Sequence, residues 1–233
     1  MTRVQCIIFL TCQFILNNTF ACAPSMHAFI AELWLDTYQV KDEANRKAMI
    51  IGALFPDIRY LGKVSRAQTH TKNVSLKQIN DATDYFEKGK LLHAYVDEQH
   101  ALFLRQYSLS LLLPPTILNQ KKLYLELVLD EIIYNEEWGE QISKIISRSI
   151  SQEKILNLND LDLFQWHSLL TIYFTNYPSA HLKKLTLFNR DIWFLDATTI
   201  QLWSDMLQKS TQNPYFKDYA RDLILFFKSR FVI

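Results

Sequence analysis

His93, Asp97 and His100 lie close together in the stretch "GKLLHAYVDEQH", Gly89 to His100. At the pitch of an α-helix all three fall within one narrow arc. Imidazole nitrogens and carboxylate oxygens are zinc-type ligands, and an H-x-x-x-D spacing brings one of each close enough to share an ion. His100 lies two turns from His93, about 10 Å along the axis, too far to chelate the same ion. Leu92, Val96 and Phe103 flank this arc, Glu98 and Arg105 lie well round the cylinder, and Ala94 and Ala101 stand between the two. The His/Asp/His arc is therefore walled by apolar residues, where polar groups are costly to bury without partners. A simple His-Asp pair has the same spacing, so a metal site needs ligands from elsewhere in the chain.

Three segments offer them. "GALFPDIRYLG" sets Asp57 behind Pro56 inside an apolar run, and "RAQTHTKN" puts His70 in a polar loop. "KKLYLELVLDEIIY" carries Glu126 and Asp130 one turn apart, facing inward if the surrounding leucines are core. Each alone reads equally well as a cap, a turn residue or a surface charge. Together they are the scattered His/Asp/Glu set expected when helices converge on metals.

The elements that must position these residues are helices. Apolar residues recur at helical spacing over 27–40, 43–53, 76–107 with a break near Gly89, 116–135, 137–150, 159–175, 197–209 and 215–231. Gly52/Pro56, Pro114-Pro115, Pro178 and Pro214 mark breaks. Alternating strand patterns are scarce, and no repeat or linker divides the chain. The expectation is one all-α domain of 233 residues, 49% hydrophobic and able to bury a sizeable core. A net charge of +1 gives no footprint for duplex nucleic acid. With 4 glycines there is neither G-x-G-x-x-G nor a P-loop, so the usual phosphate-cradling loops are absent. His167 and His181 sit alone, as surface or satisfied core histidines. "YFKDYARDLILFFKSRF" reads as an amphipathic helix that packs on the core, with contact to a membrane surface the lesser alternative.

The first residues read as an export signal. Arg3 is the basic start, "CIIFLTCQFI" the apolar run, and small residues follow in "NNTFACAPS". Residues 1–23 are assigned to the signal and 24–233 to the helical domain, with cleavage after Ala21 or Ala23. The apolar run is too short to span a bilayer as a stable helix, so a signal-anchored form is the lesser reading. A form lipidated at Cys22 is also less favoured. Cys6 and Cys12 leave with the signal, so the exported chain has no disulfide and relies on its core, or on core plus metal.

With these residues assembled, the chain resembles the bacterial zinc-dependent phospholipase C family, whose fungal relatives are zinc-dependent single-strand nucleases. The resemblance spans roughly residues 23 to 135, and the H-x-x-x-D helix and "FPD" carry most of it. It implies an all-helical bundle of the phospholipase C type with zinc in a cleft. His27, Asp57, His70, His93 and Asp97 would be metal ligands, Asp57 also the general base, and Asp97 a bridge between two metals. Glu126 would be a further ligand, and His100 and Asp130 additional or supporting groups. The family's ligating amino-terminal tryptophan has no counterpart before His27. Phe103 and Lys122 stand where the family has histidines of its third site, so one or two zinc ions are expected rather than three.

The implied function is an exported, monomeric, divalent-metal phosphoesterase. It would hydrolyse phospholipid head-group phosphodiesters by a metal-activated water, with peripheral membrane contact. A single-strand nuclease or nucleotidase using the same chemistry stays open, as does a catalytically degenerate, metal-stabilised binding protein.

Overall fold

A computed structural model describes residues 23–107, 113, 121–186 and 197–232. The expected signal segment lies outside the described residues, apart from Ala23. All regular structure among the described residues is helical. In chain order the α-helices are α1 (Pro24–Thr37), α2 (Glu43–Leu54), α3 (Arg66–Thr69), α4 (Leu76–Asp81), α5 (Tyr85–Leu104) and α6 (Lys121–Ile133). Then follow α7 (Glu136–Ile146), α8 (Asp160–Tyr173), α9 (Pro178–Thr186), α10 (Ala197–Ser210) and α11 (Pro214–Phe231). A 3₁₀ segment, Phe55–Leu61, continues α2.

Local chemistry sets the boundaries. Asp42, Asp84, Asn135, Asn159 and Asn213 each accept a backbone N–H from the first turn of α2, α5, α7, α8 and α11. Pro24, Pro178 and Pro214 open their helices, where a missing N–H costs nothing. Gly62 ends the 3₁₀ segment at φ 76°, a left-handed conformation that glycine adopts without strain. The long helix expected over 76–107 is two helices, because residues 82–84 turn away and Asp84 caps a fresh start.

Gly89 is therefore not a break; it lies inside α5 and brings it onto α2. A Cβ on Gly89 would stand 2.2 Å from the Met49 carbonyl oxygen, and one on Gly52 would stand 2.1 Å from that of Phe86. The two glycines let the helix backbones touch directly. Phe55 and Phe86 pack edge to face beside this crossing, with ring centroids 5.1 Å apart.

Helix α6 packs against α1, α9, α10 and α11. Its residues 123 to 131 are all buried, yet they include Glu126, Asp130 and Glu131. Two of these carboxylates stabilise the starts of other helices. Asp130 accepts the N–H groups of Ser25 (2.8 Å) and Met26 (3.0 Å) in α1. Glu131 accepts both the N–H and the hydroxyl of Ser179 in α9. Negative charge at a helix N-terminus is favourable, and burial strengthens it. One cluster of buried apolar side chains runs from Met26 to Phe231. The apolar face of α11 (Phe216, Tyr219, Leu223, Phe227) lies in it, as the sequence indicates. No described helix is long and apolar enough to cross a membrane.

Alanine in place of glycine inside a helix ordinarily stabilises by up to ~1 kcal/mol. Gly89→Ala should instead destabilise by about 2 kcal/mol or more, because the added carbon meets backbone rather than a flexible side chain. Denaturant unfolding measures it; a neutral or stabilising change would mean that the helices do not touch as described.

Candidate metal centre

Five of the sequence-predicted residues converge. His27 comes from α1, Asp57 from the 3₁₀ segment, His70 from the residue after α3, and His93 and Asp97 from α5. His27, Asp57, His93 and Asp97 are at most 6% exposed. Two overlapping groups bring all their ligand atoms within 4.8 Å of one another: His27–Asp57–His93 and His70–His93–Asp97.

The second group has the tighter geometry. His93 Nε2 lies 3.0 Å from His70 Nε2 and 3.7 Å from Asp97 Oδ2, and His70 Nε2 lies 3.5 Å from the same oxygen. Ligand atoms on a tetrahedral zinc at ~2.0–2.1 Å stand about 3.3 Å apart. On the other side, Asp97 Oδ1 is 3.4 Å from His27 Nε2, and Asp57 Oδ1 is 3.9 Å from His93 Nε2. The two oxygens of Asp97 thus face different partners, the arrangement a bridging carboxylate needs.

The tautomers can be assigned from the partners of the other ring nitrogens. His93 Nδ1 is 2.7 Å from the Ala53 carbonyl oxygen, which can only accept, so Nδ1 carries the proton. That carbonyl is among the last of α2, which have no partner within the helix. His70 Nδ1 is 2.8 Å from the Thr69 hydroxyl. When Thr69 directs its own proton to the Ser65 or Arg66 carbonyl, 3.5 and 3.4 Å away, it accepts from His70, and that is the tautomer in which His70 can serve as a ligand through Nε2. In that tautomer both histidines point Nε2 lone pairs at each other across 3.0 Å. Two lone pairs at that distance repel unless a proton or a cation lies between them. His27 adds to the case: it is 1% exposed, stacks on His93 with centroids 3.7 Å apart, and neither ring nitrogen makes a hydrogen bond. This donor set suits a divalent ion of the zinc type.

Burial lowers the pKa of His70, and it lowers that of His93 strongly, with the nearby His27 adding to the effect. Both shifts favour the neutral imidazole that a metal ligand must be. Burial pushes the carboxyl of Asp57 up to about 7, against the opposing fields of His27 and Arg59. Burial also works to raise Asp97, but the neighbouring His93, His27 and His70 outweigh it and hold the group well below the usual carboxylate range.

The remaining predicted residues lie elsewhere. His100 is buried and pairs with the hydroxyl of Tyr219 on α11 at 2.8 Å, so it ties α5 to the C-terminal helix. Phe103 packs among Tyr107, Tyr219 and Phe226. Glu126 is buried but joins neither ligand group; its charge is felt at Tyr60, whose pKa burial raises first and Asp57 and Glu126 raise further. The side chain of Lys122 lies outside the described residues. Asp130 supports the site indirectly, by fixing the start of the helix that carries His27.

His167 and His181 are satisfied core histidines. His167 places Nε2 2.8 Å from Glu153 Oε1 and Nδ1 2.5 Å from the Ile146 carbonyl, and His181 reaches the Tyr173 carbonyl at 3.0 Å. Their sequence neighbourhoods give no sign of these partners.

Two arginines complete the centre. Arg59 Nη2 is 3.5 Å from Asp57 Oδ1 and bonds the Tyr60 hydroxyl. Arg66 Nη2 donates to Asp97 Oδ2 at 2.8 Å. Arg66 opens the segment "RAQTHTKN" that supplies His70; a carboxylate-rich ligand set needs nearby cations, and that requirement was the available signal for it. A cleft of about 510 Å³ opens beside His70 and Asp97, between the 66–73 segment and α5. Ala94 and Ala101 form part of its α5 wall.

No protein-family model matches the chain, and neither a curated protein nor a solved structure shows significant similarity to it.

Asp57 should make metal binding pH-dependent. Below about 7 it holds a proton that the ion must displace, whereas burial favours the neutral form of His70 and His93. Zinc affinity should rise up to about tenfold per pH unit below pH 7 and level off above it. Chelator competition at several pH values measures this, and Asp57→Asn should flatten the profile. An unchanged slope in that variant would remove Asp57 from the ligand set.

Proposed function

We propose that this protein is an exported divalent-metal phosphoesterase, similar in type to the zinc-dependent phospholipases C, acting on phosphodiesters and above all on phospholipid head groups. The observation that carries this reading is the pair of facing Nε2 atoms of His70 and His93 with Asp97 completing the triangle. The all-helical fold and the H-x-x-x-D and "FPD" segments support it further.

In this reading His70, His93 and Asp97 would hold one ion, and His27, Asp57 and Asp97 would flank a second. His93 has one Nε2 lone pair, so the two groups cannot both use it at once. Zinc so held supplies Lewis acidity toward a phosphoryl oxygen and lowers the pKa of water. The protein's own groups do the rest. Asp57, with a pKa of about 7, is poised to take up a proton near neutral pH, as a general base must. Arg59 and Arg66 place positive charge where phosphoryl oxygens would gather. The buried histidines exclude bulk water from the inner side, and the cleft gives access from the outer.

The cleft also bears on the choice among phosphoesters. Among the described residues no phenylalanine, tyrosine or tryptophan lines it. Base-stacking platforms of the sort that hold single-stranded nucleic acid are therefore missing there, which favours a small head group over a nucleotide chain. One observation favours the non-catalytic alternative. The Arg66 guanidinium already lies on the Asp97 oxygen nearest the facing histidines, so a cation of the protein's own partly neutralises the site.

Protein prepared without chelators should contain one or two zinc ions per chain by elemental analysis. His93→Ala and Asp97→Ala should each lower zinc content and cut phosphodiester hydrolysis at least about a hundredfold. His167→Ala should behave differently. It strands the buried Glu153 and should cost about 3–5 kcal/mol of stability, while the folded fraction keeps its zinc and its activity. Full activity in the Asp97 variant would end the metal-hydrolase reading. Stoichiometric zinc without turnover of any phosphoester would leave the binding-protein reading in its place.

A further inference from the structure

The geometry points to Arg66 as the residue that binds the substrate's phosphoryl group, with metal loading releasing its charge into the cleft. This inference rests on the metal-hydrolase reading and adds a binding residue and a coupling to it.

Arg66 occupies the first position of α3, whose Ser65 and Gln68 bond each other around the helix start. His70 is the residue that ends the same short helix. One rigid turn thus delivers a candidate ligand to the inside of the site and a guanidinium to its rim. The Arg66 side chain is 38% exposed, whereas Asp97 beneath it is 4% exposed. Arg66, His70 and Asp97 all line the same cleft. A phosphate entering this cleft therefore meets the Arg66 side chain on its way to the ligand groups, and a turn of that side chain brings the guanidinium donors to it.

Charge accounting gives the coupling. Without metal, the Asp97 carboxylate, bonded to Arg66 at 2.8 Å, opposes its field at the cleft, and Glu98 on the cleft wall adds to that opposition. A divalent ion at His70, His93 and Asp97 neutralises that carboxylate, and the same guanidinium then presents a net positive charge. Arginine suits this position because its fork of N–H donors can keep a bond to Asp97 while turning others to phosphate oxygens. Lys72 lies on the same wall and adds charge without that fork. Opposite stand Ala94 and Ala101, which leave room beside Asp97 where larger side chains would fill the cleft. The ligand class is therefore a tetrahedral phosphate ester small enough to sit between the Arg66 turn and the alanine-lined face of α5.

Inorganic phosphate is the probe. Its affinity is measured by isothermal titration on full-length wild type, with and without zinc, and on Arg66→Gln, Arg66→Lys and Lys144→Gln. Zinc content of each is determined in parallel. Lys144 pairs with Glu140 on α7 and controls for a general loss of charge. In the expected result, zinc raises wild-type phosphate affinity at least about tenfold and Arg66→Gln removes most of that gain while retaining its zinc. Arg66→Lys recovers part of it, and Lys144→Gln matches wild type.

Zinc-loaded Arg66→Gln that binds phosphate as wild type does would overturn the role of Arg66 and leave the metal-hydrolase reading standing. Loss of zinc from Arg66→Gln would also overturn it, by showing that the residue serves only to hold Asp97. A wild type that takes up no zinc would defeat the metal reading itself and the coupling with it.

Discussion

The direct contact between α2 and α5 at Gly52 and Gly89 is the constraint from which the site follows. With no side chain between them, the two backbones approach closely enough for His93, one turn beyond Gly89, to reach the Ala53 carbonyl at the end of α2. That single bond fixes the ring, its tautomer and the direction of Nε2. Asp97 follows one turn later on the same face. The 3₁₀ segment that leaves α2 carries Asp57 back toward both. A larger residue at either glycine would push the helices apart and take the ligand atoms out of mutual reach.

Buried carboxylates recur through this fold, and five of them are satisfied in three ways. Asp130 and Glu131 accept backbone N–H groups at the starts of distant helices. Glu153 meets His167, with one more bond from the Ile150 N–H. Asp57 and Asp97 instead face histidines and arginines. Only this last pair carries opposed perturbations, with Asp57 pushed up and Asp97 held down. Two neighbouring carboxyls whose environments drive them apart set this cluster off from the carboxylates that support helix starts.

Much of the helical layout was legible in the sequence. Periodicity and the positions of Pro56, Pro178 and Pro214 place most helices within a few residues, and α11 packs as its apolar stripe indicates. The ligands on α5 were legible because both lie on one helix, at a spacing that chemistry requires. Their convergence with His27, Asp57 and His70 is tertiary, and the local pattern supports those three only as a set. Gly89 misled because a glycine in a helix weakens it locally, and only the partner backbone shows why it is there. Arg66 and the partners of His167 and His181 were hidden for a related reason. Their contacts cross from one element to another, from 8 positions away for His181 to 31 for Arg66, and no spacing within one helix encodes them.

The attachment of α1 to Asp130 says something about when this centre comes into being. The bonds from Ser25 and Met26 join residues 105 and 104 positions away. Closing so long a loop is entropically expensive and is compensated only once α6 has docked. The helix bearing His27 is therefore clamped only after the middle of the chain is in place. A newly made chain can bring His93 and Asp97 together from local structure alone, but it lacks the full donor set until the bundle is nearly closed. The order of assembly thus keeps the candidate metal centre incomplete for as long as the chain is still folding.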